Sequence, residues 1–158
     1  MATADQRDPF DQLLRSHRRL EERLTDLPVA AADLAGPRRD EALAYIEDTL
    51  AWMGRAVRRH EDDEETSLFP RLAGRAEIEP LILKLAEEHK LHEKLQDELR
   101  AVAATDAARA KAVVGELVAA YATHLKEEEE QLFPAARRLL APADLAAMAA
   151  EMDARRGR

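Results

Sequence analysis

Apolar side chains recur three and four residues apart along almost the whole chain, the spacing that puts them on one face of an α-helix. The first stripe, Phe10, Leu13, Leu14, His17, Leu20, Leu24 and Leu27, follows Asp8-Pro9, a capping residue and a proline suited to the first helical position. Pro28 is expected to end or kink this helix. After Gly36-Pro37 a second helix is predicted to about Ser67, with Tyr45, Ile46, Leu50, Met53, Val57, His60 and Glu64 facing inwards. A third opens near Glu79-Pro80 and shows Leu81, Leu85, His89, His92, Leu95, Leu99 and Val102. The fourth, capped by Thr105 or Asp106, shows Val113, Val114, Leu117, Tyr121, His124, Glu128 and Leu132, and a short fifth from about Pro142 to Arg155 is expected to pack across one end. No window alternates with period two, so no sheet is expected. The pattern predicts an all-α fold: an up-down-up-down four-helix bundle over about residues 8–140 with a short C-terminal fifth helix, residues 1–158 forming a single domain.

Polar residues interrupt the stripes in a repeated order. His60, Glu64, Glu65, Leu68, Phe69 and Pro70 recur at the same offsets as His124, Glu128, Glu129, Leu132, Phe133 and Pro134. A side chain four positions on is rotated by only about 40° and sits one turn along the same helical face, so each copy aims an imidazole and a carboxylate at one point. His17 and His89 add one histidine on each of the other two helices, which suggests a duplicated helical hairpin.

Antiparallel neighbours bring two residues to one height when both are equidistant from the turn between them. The midpoint of His89 and His124 is 106.5, beside the predicted turn, and that of His60 and His89 is 74.5, inside the connection over residues 73–78. For His17 and His60 it is 38.5, so either the segment after Pro28 climbs back along the bundle or the first helix continues past the proline. Six ionisable groups at one level of a core need a common partner, because each costs on the order of 1–3 kcal/mol or more if buried alone. A metal site answers that need.

The other acidic residues of the two runs, Glu65, Glu127, Glu129 and Glu130, are expected on the solvated face, while Glu61, about 100° from His60, is borderline. Phe69 and Phe133 read as end-of-bundle core. Tyr121, one turn before His124, could hydrogen-bond to a bound ligand or relay an electron, or be a core tyrosine whose hydroxyl is satisfied elsewhere.

Composition narrows the chemistry. A chain of 158 residues can bury roughly 68–70% of its unfolded surface without a staple. There is no cysteine, which removes disulfides, thiolate zinc sites and cysteine-ligated clusters and fits a reducing compartment. The start MATADQRDPF lacks the features of a signal peptide and no stretch is long enough to span a bilayer, so a cytoplasmic protein with no membrane partner is expected. A net charge of −8 argues against a nucleic-acid partner. Imidazole with carboxylate suits iron, zinc, nickel or manganese. No His-Glu-x-x-His and no Glu-x-x-His occurs, so neither a zincin nor a ferritin-type carboxylate site is present.

The ordered set His17, His60-x-x-x-Glu64, His89, His124-x-x-x-Glu128 with the paired Leu-Phe-Pro resembles the hemerythrin-like family, also called the HHE cation-binding domain, over about residues 8 to 140. The resemblance implies a non-haem pair of iron ions, oxo- or hydroxo-bridged, with Glu64 and Glu128 bridging and the four histidines as terminal ligands. Oxygen-carrying members have His-x-x-x-His on the third helix and an aspartate five residues after the last histidine. Here His89-x-x-His92 and Glu128 at plus four stand instead, which is more similar to the bacterial and regulatory branch. Some members also use the glutamate directly after the second-helix histidine, here Glu61, as a further ligand. His92 is the other possible addition, although the equivalent place in the first helix is Leu20.

That ligand count leaves two positions vacant on two octahedral irons, or one if His92 binds. The implied partner is therefore a small diatomic ligand or peroxide, and the implied function is binding or reaction with oxygen, peroxide or nitric oxide; the alternative is an iron-binding storage or sensing module without turnover. The sequence points to no protein partner or electron donor.

Overall fold

The computed structural model describes residues 8–158; the leader reading and the domain start at residue 1 concern residues 1–7, outside that range. Among the described residues there is no strand. Helix α1 spans Pro9–Asp33, and the Asp8 side chain accepts from the Phe10 amide at 2.9 Å, as a capping residue should. The helix does not stop at Pro28. That residue is exposed, so its ring disturbs the outer side of the helix rather than the core packing. Of the two readings of the His17–His60 register, continuation past the proline is the one found.

Helix α2 covers residues 39–72 rather than ending near Ser67, and it is not regular. α-Helical Arg39–Trp52, Arg58–Asp62 and Phe69–Leu72 alternate with π turns at Met53–Val57 and Asp63–Leu68. Helix α3 is Glu79–Val102. Helix α4 covers residues 107–139 as Ala107–Glu127, a π turn at Glu128–Leu132 and Phe133–Leu139, with Asp106 as its cap. The two π turns that follow His60 and His124 have a local cause. Pro70 and Pro134 cannot donate to the carbonyl four residues back, and their rings push it away, which favours the wider turn just before each proline.

The four long helices pack in the ring α1–α2–α3–α4, each against its chain neighbours and α4 back against α1, so the bundle is up-down-up-down. Helix α5, Pro142–Arg155, lies over the end formed by the start of α1 and the finish of α2. Met148 and Met152 enter the core there. Asp63, fully buried, receives Arg155 at 3.0 Å and Arg156 at 2.7 Å, and Arg71 pairs with Glu151 at 2.6 Å. The turn after α2 uses Gly74 at φ +81°, a left-handed conformation that suits glycine.

Two apolar clusters fill the bundle. One, around Leu27, Ile46, Leu99 and Leu117, occupies the end nearest the α1–α2 and α3–α4 turns. The other, around Phe10, Leu68, Leu85, Leu132 and Met148, lies under α5. Between them runs a polar layer.

Candidate metal centre

That layer contains all six residues expected from the sequence, and all are buried: His17, His60, Glu64, His89, His124 and Glu128. They form two overlapping quartets, His17, His60, Glu64 and Glu128 on one side and Glu64, His89, His124 and Glu128 on the other, with ligand atoms in each lying within 4.8 Å of one another. Donors on a single ion at about 2.1 Å span at most roughly 4.2 Å across it, so each quartet can close on one cation with little movement. Both carboxylates belong to both quartets, so a pair of ions would share them.

The contacts follow the duplication. His17 Nε2 lies 2.9 Å from Glu128 and His89 Nε2 3.1 Å from Glu64. His60 Nε2 is 3.5 Å from Glu64, and His124 Nε2 is 3.2 Å from Glu128. The His17 and His60 ring centres are 4.9 Å apart, as are those of His89 and His124. Several of these atoms have no hydrogen-bond partner: His60 Nε2, both Glu64 oxygens, His89 Nε2 and Glu128 Oε2. Buried polar atoms left in this state are rare, and a cation between them satisfies the whole set. Their donor chemistry, imidazole with carboxylate, fits iron.

Without a cation the layer is held by charge. Burial opposes the charge on His60, but Glu64 and Glu128 outweigh it and hold its pKa well above the usual histidine value. His89 and His124 follow the same balance of burial against carboxylates, His89 rising to about 10. Burial alone would raise Glu128, yet the adjoining side chains of Glu64, His124, His17 and His60 hold it well below the ordinary carboxylate range.

A second ring of carboxylates was not foreseen. Glu129 accepts from His17 Nδ1 at 2.9 Å, Glu65 from His89 Nδ1 at 2.9 Å and Glu88 from His124 Nδ1 at 2.8 Å. A carboxylate on Nδ1 fixes the proton there and leaves Nε2 free to ligate. Glu65 and Glu129 are thus turned partly inwards, not placed on the solvated face; the signal available was their identical offset in the two copies. Glu127 is also nearly buried and receives Lys84 at 2.6 Å, whereas Glu130 is exposed as expected. The repeated phenylalanines are core residues with a further contact: Phe133 stacks on His17 at 5.4 Å and Phe69 on His89 at 6.1 Å.

Glu61 and His92 are buried but belong to neither quartet. Burial raises the Glu61 pKa to about 7. Burial, together with repulsion from His124 and His89, lowers that of His92 to about 3. The Tyr121 ring packs against that of His92 with centres 4.1 Å apart and planes tilted by 31°, and its hydroxyl accepts from Gln96 at 2.6 Å, so it has a protein partner for its oxygen. Adding 64 to an α2 position gives its counterpart on α4, and adding 72 to an α1 position gives its counterpart on α3, as 60 maps to 124 and 17 to 89. By that rule Glu61, His92, Gln96 and Tyr121 correspond to Leu125, Leu20, Leu24 and Val57, all in the apolar cluster. The His89–His124 side alone carries this polar annexe.

The profile of the Hemerythrin HHE cation binding domain matches residues 8–136, and a second, overlapping match covers 81–154. The chain belongs to the hemerythrin HHE cation-binding family. The second match begins near the start of α3 as the first begins at the cap of α1, in keeping with the duplicated hairpin. Neither curated proteins nor solved structures provide a further match to this HHE chain.

The HHE centre makes His92 a clear test. A His92→Leu protein is expected to keep its iron content and its ligand-to-metal absorption, because His92 belongs to neither quartet. Loss of one iron equivalent from that protein, read by metal analysis, would make His92 a ligand.

Proposed function

We propose that this chain acts as one hemerythrin-like domain holding two iron ions bridged by Glu64 and Glu128, and that the pair binds or reacts with oxygen, peroxide or nitric oxide. The observation that carries this reading is the sharing of two buried carboxylates, three of whose four oxygens lack a hydrogen-bond partner, between two histidine pairs. His17 and His60 would hold one ion, and His89 and His124 the other. When bound, such a pair supplies vacant coordination positions and accessible one-electron steps between iron(II) and iron(III).

The chain's own residues set the limits on that chemistry. Glu129, Glu65 and Glu88 hold three of the imidazoles with Nε2 directed at the quartets, and carboxylate partners of this kind raise ligand basicity. Phe133 and Phe69 cover His17 and His89. The apolar clusters close the layer from both ends of the bundle, which favours a small ligand. Only two carboxylates stand among the six donors, so the site stabilises high-valent iron less than a carboxylate-rich one and suits reversible ligand or redox chemistry. No helix among the described residues is long and apolar enough to cross a membrane, and a cytoplasmic setting fits a chain without cysteine.

The test is spectroscopic. Reduced, iron-loaded protein is expected to change its visible spectrum on addition of oxygen, hydrogen peroxide or nitric oxide, and Glu64→Ala or Glu128→Ala should weaken the change by removing a bridge. No response to any of the three from fully loaded protein would replace this reading with an iron store or a structural metal site.

A further inference from the structure

Three of the four histidines in the quartets have a carboxylate on Nδ1; His60 does not. Its Nε2 faces Glu64 and Glu128 at 3.5 and 3.6 Å, while its Nδ1 is buried with no hydrogen-bond partner. The duplication shows what is missing. His124 Nδ1 is held by Glu88, the residue before His89; the residue before His17 is Ser16. Ser16 is too short to take the place of Glu88, and its hydroxyl donates instead to the Gln12 carbonyl at 3.1 Å.

A cleft between α1 and α2 occupies the position of the missing carboxylate. Its walls include Ser16, His17, His60, Trp52 and three arginines, Arg19, Arg59 and Arg156, with no acidic residue among them. Arg156 pairs with Asp63 at 2.7 Å, a carboxylate it shares with Arg155. The side chains of Arg19 and Arg59 have no ion-pair or hydrogen-bond partner among the described residues, and Arg59 Nε is itself buried and unpartnered. In a chain of net charge −8 this is a local reversal of sign, which concentrates anions. The centre of a water-sized molecule can range over about 30 Å³ in the cleft, more than the roughly 10–15 Å³ one water needs. The charged groups at hand are all donors.

We propose that this cleft binds a small monovalent oxyanion of formate size, whose oxygens accept from His60 Nδ1 and the Arg59 guanidinium and so do for His60 what Glu88 does for His124. With Nε2 turned to a metal, the imidazole proton resides on Nδ1, the atom such an anion meets. The consequence for the metal rests on the di-iron reading: the ion held by His17 and His60 would have a donor strengthened by an exchangeable carboxylate, whereas its neighbour's is built in.

Sodium formate titrated into the purified, iron-loaded protein by isothermal calorimetry tests the proposal, with metal content measured on the same samples. One saturable site per chain is expected. Arg59→Gln should weaken it by about tenfold, the loss of one charge-assisted hydrogen bond. Ser16→Glu should abolish it, because the introduced carboxylate reaches His60 as Glu88 reaches His124. Should Ser16→Glu fail to fold, Arg59→Gln decides alone. A site whose affinity neither substitution changes, accompanied by a shift of the visible spectrum, would put formate on the metal and overturn the proposal. Absence of any saturable site leaves the cleft to water and overturns it equally. Protein that binds formate as described but takes up no iron on attempted loading would contradict the di-iron reading and leave the cleft assigned.

Discussion

Replacing His60 and His124 together by alanine is expected to abolish iron loading. Each ion then loses one of two histidines while the shared carboxylates stay. Binding free energies of about 10–16 kcal/mol for four-ligand zinc sites put each donor at roughly 3 kcal/mol, so each ion is weakened on the order of 100-fold, and the two losses reinforce one another because the bridges are common. Metal analysis of the purified double variant, beside circular dichroism to show that the helices remain, reads the effect directly. Stoichiometric iron retained in folded double variant would remove the quartets as the metal site. Either single substitution should leave the opposite quartet intact and cost more than half the iron only if the shared bridges make loading of the two ions cooperative.

Removing the metal is expected to lower the melting temperature by about 8–16 °C, and by more as pH rises. Saturating a site at a thousandfold its dissociation constant adds about 4.1 kcal/mol, and each kcal/mol moves a domain of this size by about 2–4 °C. The pH dependence follows from the directions of the shifts. In the metal-free protein His60, His89 and His124 titrate above their usual value of 6.5, His89 at about 10. A raised histidine pKa contributes stability that is fully present below 6.5 and is lost as pH climbs towards about 10. Glu128, held well below 4.5, contributes above that value and loses its effect as pH falls. Metal-free protein should therefore be most stable between about pH 4.5 and 6.5 and weaken above it. The loaded protein should run the other way, because the metal displaces those protons and binds more tightly as they become easier to remove. Calorimetric scans of chelated and loaded samples at several pH values check both signs; a gap that narrows with rising pH would contradict the account.

The helices and the six inward ligand candidates were legible because they obey one rule, a repeat near 3.6 residues that sorts side chains by face. His60 and Glu64, or His124 and Glu128, advertise themselves by sharing a stripe with leucine and valine. Glu65, Glu129 and Glu88 do not. In a regular helix Glu65 points about 100° away from Glu64, and its part in the site depends on a proline-widened turn and on the His89 ring arriving from another helix, neither of which periodicity contains. Pro28 differs for the opposite reason: a local breaker is tolerated because its ring lies on the wet face of the helix. Glu61 and His92 read as possible ligands because they are polar and near the stripe; their grouping with Gln96 and Tyr121 on one side of the layer is a property of three helices together.

The central claim is that two irons share Glu64 and Glu128. Mössbauer spectroscopy of protein loaded anaerobically with isotopically enriched iron and then oxidised, with iron and protein counted on the same sample, tests it most directly. Two irons per chain whose spins cancel in an applied field, as a bridged ferric pair requires, is the result predicted. One iron per chain, or two that respond to the field as isolated high-spin ferric ions, would contradict it.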